Sequence, residues 1–333
     1  MASETIREVQ KCFGVAADPA LKRGGRVSAS LSGRTLLAVD WGTSSLRGAW
    51  LDARGQTVEE RSFARGILTV APGEFPAVLK SCFGDWMQGP DALCLMSGMV
   101  GSKQGWLEAP YCTCPAGFAE VASNLAWVEP ARVAIVPGLC CENAGIPDVM
   151  RGEEIQVFGA LQLLGLQEAL VVLPGTHSKW VRVQAGRIQS FSTFMTGEFF
   201  ALLRQHSILS RTLPASDGEF DSEAFDQGVM LALRSSSLLH TAFSTRTLSL
   251  FDRLPAAALP SYLSGLVIGE ELRAQTLRTD AEVVIIGSES LTQRYQSALA
   301  LRDVPSRRVG SEATWAGLWA IAQTLHPNLL KQS

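Results

Sequence analysis

No apolar run in this 333-residue chain approaches the ~20 residues that a bilayer-spanning helix needs, so no membrane role is expected. Charge of one sign is not in surplus either. There are 29 Lys and Arg against 32 Asp and Glu, a net charge of -3, which argues against a nucleic-acid partner. The seven cysteines include no C-x-x-C pair, so neither a disulfide framework nor a zinc ribbon fits, and a reducing cytoplasm is their natural setting. Two nucleotide signatures are missing as well. Without G-x-x-x-x-G-K-[ST] a P-loop nucleotidase is disfavoured, and without G-x-G-x-x-G after a first strand so is a dinucleotide oxidoreductase. No His/Cys cluster has metal-ligand spacing, and His177 alone reads as a packing or hydrogen-bonding residue as readily as a phosphate contact.

What is present is a globular composition, 47% hydrophobic and 18% charged, at a length that predicts about two domains. Residues 1–33 differ from the rest. They are polar and carry a Gly-Gly pair and Lys22, Arg23 and Arg26, but no apolar core of a secretory signal. A mobile extension is expected there, with a basic targeting arm as the alternative. From Thr35 onward strands alternate with helices. Strands are expected at 35–40, 46–52, 57–63, 92–98, 132–138, three times within 168–198, and in 281–290. Helices are expected over 74–88 and 152–165, from Glu198, through most of 217–278 with breaks near Pro255 and Pro260, and at 290–301 and 312–325. The class is α/β.

One internal echo organises the chain. Gly42-Thr43-Ser44-Ser45 follows a buried strand and precedes two strands joined by a short turn; Gly175-Thr176-His177-Ser178 does the same about 130 residues later. Such a repeat implies two similar halves, each opening with a loop of phosphate size. Backbone N–H groups of a glycine turn can converge on an anion, and Thr and Ser hydroxyls add donors without bulk. Asp40, at the end of the first strand, is the acid expected beside Mg²⁺, an ion usually held by one or two carboxylates together with phosphates. Lys179 or Arg47 would offset phosphate charge.

DWGTSSLR (40–47), PGTHSKW (174–180) and IIGSES (285–290) resemble the phosphate-1, phosphate-2 and adenosine segments of the actin/hexokinase/Hsp70-type ATPases. Within that superfamily SGMVGSKQGWLEAPY (97–111), VPGL (136–139), MRGEE (150–154), LPGTHSKWV (173–181) and MTGE (195–198) together resemble the 2-dehydro-3-deoxygalactonokinase family, from about Thr35 to about Leu325. The resemblance implies a two-lobed, ribonuclease H-like α/β fold with a central ATP cleft faced by both glycine loops. The lobes would span 34–165 and 166–326, with room for the last helix to pack back on the first. It further implies ATP, Mg²⁺, a small sugar-acid partner, and transfer of the γ-phosphoryl group to the C6 hydroxyl of 2-dehydro-3-deoxy-D-galactonate.

On that footing Gly42, Thr43, Ser44, Gly175, Thr176 and Lys179 are candidates for the phosphates, and Gly287, Ser288 and Gly265 for adenosine. Helix packing explains Gly265 equally. A sugar hydroxyl needs a carboxylate to accept its proton, and Glu153 (first choice) or Glu154 opens the helix where related kinases carry that acid. An acid in a first helical turn also simply complements the macrodipole. Arg151 would hold the acceptor's carboxylate with its fork of donors, aided by Ser97, Gly98 and Met99 and by Arg47, although an ion pair explains Arg151 too. Asp40 would organise Mg²⁺ through water. The rival functions are a regulatory member of the same fold that binds without turnover, a phosphatase or acyl-phosphate enzyme, and a kinase for another 2-keto-3-deoxy sugar acid. No motif encodes the stereochemistry at C4 or the oligomeric state.

Overall fold

The structure, a computed structural model, describes residues 35–89, 92–216 and 218–329. The extension expected over 1–33 lies outside them. Strands β1 (Leu36–Trp41), β2 (Leu46–Leu51) and β3 (Thr57–Phe63) come first, followed by helix α1 (Phe75–Phe83) and β4 (Leu93–Ser97). Next are β5 (Cys112–Thr113), α2 (Phe118–Ser123), β6 (Ala126–Glu129), β7 (Val133–Ile135), β8 (Leu139–Asn143), β9 (Ile146–Met150) and α3 (Glu153–Leu164). Then follow β10 (Ala169–Leu173), β11 (Ser178–Gln184), β12 (Arg187–Phe194), α4 (Thr196–His206), α5 (Ser222–Arg234), α6 (Leu238–Thr241), α7 (Ser244–Leu250) and α8 (Leu259–Arg273). The last elements are β13 (Val283–Ile286), α9 (Glu289–Ala300), β14 (Ser306–Val309) and α10 (Glu312–Leu329).

Two compact units emerge among the described residues. One holds 35–169, 181–192 and the chain from Ser311; the other holds 170–180 and 193–310. The first carries a sheet in the order β3-β2-β1-β4-β7-β6, and a further sheet runs β12-β11-β10-β13-β14. In each, a strand is flanked on one side by the hairpin that follows it and on the other by parallel crossover strands. β1 pairs antiparallel with β2 and parallel with β4; β10 pairs parallel with β13, and β13 with β14. The echo in the sequence is therefore a shared strand order. Parallel strands covered on both faces should read as unbroken apolar runs, and LLAVDW, LCLMS and VVII are buried almost throughout.

The first unit packs Trp41, Leu46, Phe75, Phe83, Cys94, Met96 and Ile135 into one core. Helices α3 and α10 approach closely where Gly159 and Gly317 leave no side chain between the backbones. In the second unit Val172, Trp180, Phe225, Ile268, Ile285 and Tyr295 form the core beneath the sheet.

Several expectations are corrected. Pro260 does not interrupt a helix but opens α8 in its first turn, where no N–H is needed. The helix expected from Glu198 begins at Thr196, and the one expected over 74–88 changes at Gly84 into a 3-10 turn, Gly84–Met87. The hairpin β8–β9 and the strands β5, β6 and β14 were not expected at all.

Candidate active site

In the first unit Asp40 lies at the end of β1, level with Ser97 on β4 and Arg47 on β2. Arg47 donates to Asp40 Oδ2 at 2.5 Å, and its guanidinium lies over Trp315 of α10. Just past β4 the chain turns through Gly98 at φ 95°, a region that side chains rarely enter. A Cβ there would sit 2.9 Å from Trp41 O and 3.2 Å from Asp40 Oδ1. Gly152, at φ 109°, precedes α3, and a Cβ on it would be 3.3 Å from Gly98 Cα. Two bare backbones thus bring the start of α3 against the ends of β1 and β4.

The acids at that helix start behave differently. Glu154 is fully buried, and both its oxygens accept the Gly152 N–H, at 2.8 and 3.0 Å. Burial, and then the charge of Glu153, push its pKa from 4.5 up to about 8. Glu153 is only half-buried, and its Oε2 accepts the Arg151 N–H at 2.9 Å. Arg151 donates through Nη2 to Ala109 O at 2.8 Å and stacks on Tyr111, 4.4 Å from the ring centre. Its Nε and Nη1, like Ser97 Oγ, are buried without a hydrogen-bond partner. Buried donors normally find partners, and these three unpartnered polar atoms gather near one turn.

The Gly42–Ser44 loop is closed by Gly42 N donating to Ser45 O at 2.9 Å and is backed by Ile67, whose N–H donates to Gly42 O at 3.0 Å. Gly66 fits against Thr43 and Ser44 with no room for a side chain.

In the second unit the loop of Gly175 and Thr176 is backed by α4. Glu198 N–H donates to Thr176 O at 3.0 Å, and Glu198 Oε2 lies 2.6 Å from His177 Nε2. Lys179 is buried, its ammonium donating to Thr193 Oγ1 at 2.7 Å across the hairpin. Gly287 and Ser288 follow β13, Ser288 standing as the residue before α9.

Comparison with known proteins decides the family. Residues 40–321 match the 2-keto-3-deoxy-galactonokinase family. The chain belongs to that family. It is similar to a probable 2-dehydro-3-deoxygalactonokinase of Rhizobium meliloti (strain 1021), at 37% identity over 87% of this chain and 97% of that protein. It is also similar to the 2-dehydro-3-deoxygalactonokinase of Escherichia coli (strain K12), at 35% identity over 87% of this chain and 98% of that one. A crystal structure assigned to a 2-dehydro-3-deoxygalactonokinase of Sinorhizobium meliloti superposes with a TM-score of 0.82, at 37% identity, covering 88% of this chain and 99% of that one.

Within this kinase family member the expected site residues separate into groups. Asp40, Arg47, Ser97, Gly98, Arg151 and Glu153 lie around one turn of the first unit, with half-buried Met99 just beyond Gly98. Glu154 is turned inward near Cys112, whose thiol pKa is raised by burial first, then by Cys140 and by Glu154. Lys179 is engaged within its own hairpin. Gly265 is a packing residue: α5 lies so close that a side chain there would strike Phe225 O, so helix contact accounts for it. Sequence reasoning missed Gly66, Tyr111 and Glu271. The lone glycine of the ARG turn after β3 and the aromatic in LEAPY were the available signals for the first two. Among the described residues no helix is long and apolar enough to cross a membrane.

Proposed function

We propose that this chain is an ATP-dependent 2-dehydro-3-deoxygalactonokinase, passing the γ-phosphoryl group of ATP to the C6 hydroxyl of 2-dehydro-3-deoxy-D-galactonate. Family membership supports the activity. The observation that carries the chemistry is the grouping of Asp40, Glu153 and the unpartnered donors Ser97 Oγ, Arg151 Nε and Arg151 Nη1 around the Gly98–Gly152 contact.

Glu153 accepts the hydroxyl proton as phosphorus is attacked. It is preferred to Glu154 because it is the accessible one, whereas Glu154 is enclosed and largely protonated near neutrality. Arg151 and Ser97 hold the acceptor's carboxylate with donors that the fold leaves free, beside Gly98 and Met99. Arg is suited to this because its planar fork matches a carboxylate. Gly42, Thr43 and Ser44, and Gly175 and Thr176, offer backbone N–H groups and hydroxyls to phosphates, and Gly287 and Ser288 lie beside adenosine.

Magnesium would enter with the nucleotide, with Asp40 its protein carboxylate through water. No group of three or more His, Cys, Asp or Glu among the described residues could hold a metal, which suits an ion bound chiefly by phosphate and water. When bound, it would neutralise charge on the transferred group. Replacing Glu153 by Gln is expected to lower kcat by ~10²–10⁴-fold with little change in KM for ATP. Near-normal kcat where chemistry limits would assign the base elsewhere, Asp40 being next.

A further inference from the structure

We propose that Glu271 is the positioning residue of the Gly175–Thr176 loop, holding both flanks of that loop with one buried carboxylate; this rests on the loop being the one that grips ATP. Glu271 lies near the end of α8 and is 2% exposed. Its Oε1 accepts the Trp180 indole N–H at 2.6 Å. Its Oε2 accepts the Tyr295 hydroxyl at 2.7 Å and also the Thr196 hydroxyl. Tyr295 OH in turn lies 3.0 Å from Ser178 Oγ.

These partners are not scattered. Ser178 and Trp180 stand on β11 immediately after the loop. Thr196 is the first residue of α4, the helix that backs the loop. Next to it, a Cβ on Gly197 would lie 2.5 Å from Gly175 O and 2.9 Å from Thr176 Cα, and Glu198 donates to Thr176 O. The strand leaving the loop and the helix behind it are therefore both tied to one side chain from a third element.

The chemistry explains why that side chain is an acid. An enclosed carboxylate is costly unless its oxygens are hydrogen-bonded, and here two oxygens meet three converging donors from the protein. A glutamine keeps the Trp180 bond through its one acceptor oxygen, but its amide can only donate to the Thr196 and Tyr295 hydroxyls, which reverses both bonds and removes the negative charge. Burial raises the pKa of Glu271, while the hydrogen bonds from Thr196, Tyr295 and Trp180 pull it back toward the charged form, so the contacts that fix the flanks of the loop are also the ones that favour the carboxylate. A displacement of about 1 Å in a positioned group can cost up to ~10²-fold in rate.

The test is steady-state kinetics on the full chain, with KM for ATP and for the sugar acid measured separately. Glu271→Gln is expected to raise KM for ATP by about tenfold, the scale of one lost hydrogen bond, while KM for the sugar acid stays within about twofold. Tyr295→Phe removes one donor and keeps the ring, and Trp180→Phe removes one donor and leaves a smaller aromatic; each should raise KM for ATP by a smaller factor, and they carry the test if Glu271→Gln fails to fold. Leu272→Ala, the fully buried neighbour in the same core as Trp180 and Tyr295, removes no donor or acceptor of the network and should leave KM for ATP unchanged. Thr176→Val should raise KM for ATP if the loop itself binds phosphate. If Thr176→Val raises it while the Glu271, Tyr295 and Trp180 variants match Leu272→Ala, the positioning role is overturned and the loop reading stands. If Thr176→Val leaves KM for ATP unchanged, the loop reading fails and the role of Glu271 with it.

Discussion

Glu154 offers a perturbation whose size can be worked out from its surroundings. The carboxyl is enclosed at the first turn of α3, and burial followed by the charge of Glu153 lifts its pKa from 4.5 to about 8. The folded chain therefore binds this proton more tightly than the unfolded chain does. The resulting stabilisation is complete below pH 4.5 and is lost as pH rises through 8. Each pH unit across that interval removes about 1.4 kcal/mol, so the whole effect reaches about 5 kcal/mol. Glu154→Gln keeps the shape and an acceptor for the Gly152 N–H but has no proton to lose. Urea unfolding from pH 5 to 9 should show wild type losing several kcal/mol relative to the variant, most of it below pH 8. Parallel curves would mean that Glu154 is not an enclosed neutral acid, and the argument that favours Glu153 as the base would lose its footing.

Asp40→Asn should abolish most turnover while calorimetric binding of the sugar acid stays nearly intact; loss of acid binding with unchanged Mg²⁺ dependence would give Asp40 a different role. Gly98→Ala forces a side chain into a positive φ and against Trp41 O and Asp40 Oδ1. Thermal unfolding should register about 1–3 kcal/mol of strain, with kcat falling as well. Arg151→Ala should mainly raise KM for the sugar acid and weaken discrimination against sugars lacking a carboxylate, as competition between an acid and its neutral analogue would show.

The parts of the fold most legible in the sequence are those with long buried strands next to a glycine turn. LLAVDWGTSS and LVVLPGTHS announce the same strand–loop–hairpin, and the structure gives both sheets the same strand order. The hairpin β8–β9 was hidden because its two-residue turn is Ala144-Gly145, with both residues at positive φ. Sequence reasoning expects Asn or Asp at the first of these positions, and Pro147 inside β9 argues against a strand at all. β5 and β14 are too short, at 2 and 4 residues, for alternation to be seen. At the site, chain neighbours such as Arg151 and Glu153 were legible because they share one motif. Glu271 was not: its partners Trp180, Thr196 and Tyr295 come from three other elements, and in GEEL it looks like a solvated helix acid. Its neighbour Glu270 pairs with Arg273 on that same helix, as such acids usually do.

The most direct test of the account is ATP-dependent conversion of 2-dehydro-3-deoxy-D-galactonate by the purified chain, with coupled ADP release and the phosphorylated product followed together across a panel of 2-keto-3-deoxy sugar acids and neutral sugars. ADP is expected to be released in step with the 6-phosphate of the galactonate derivative, with little release with neutral sugars. ADP release that ignores the acceptor, or binding of ATP and acid with no phosphorylated product, would contradict it.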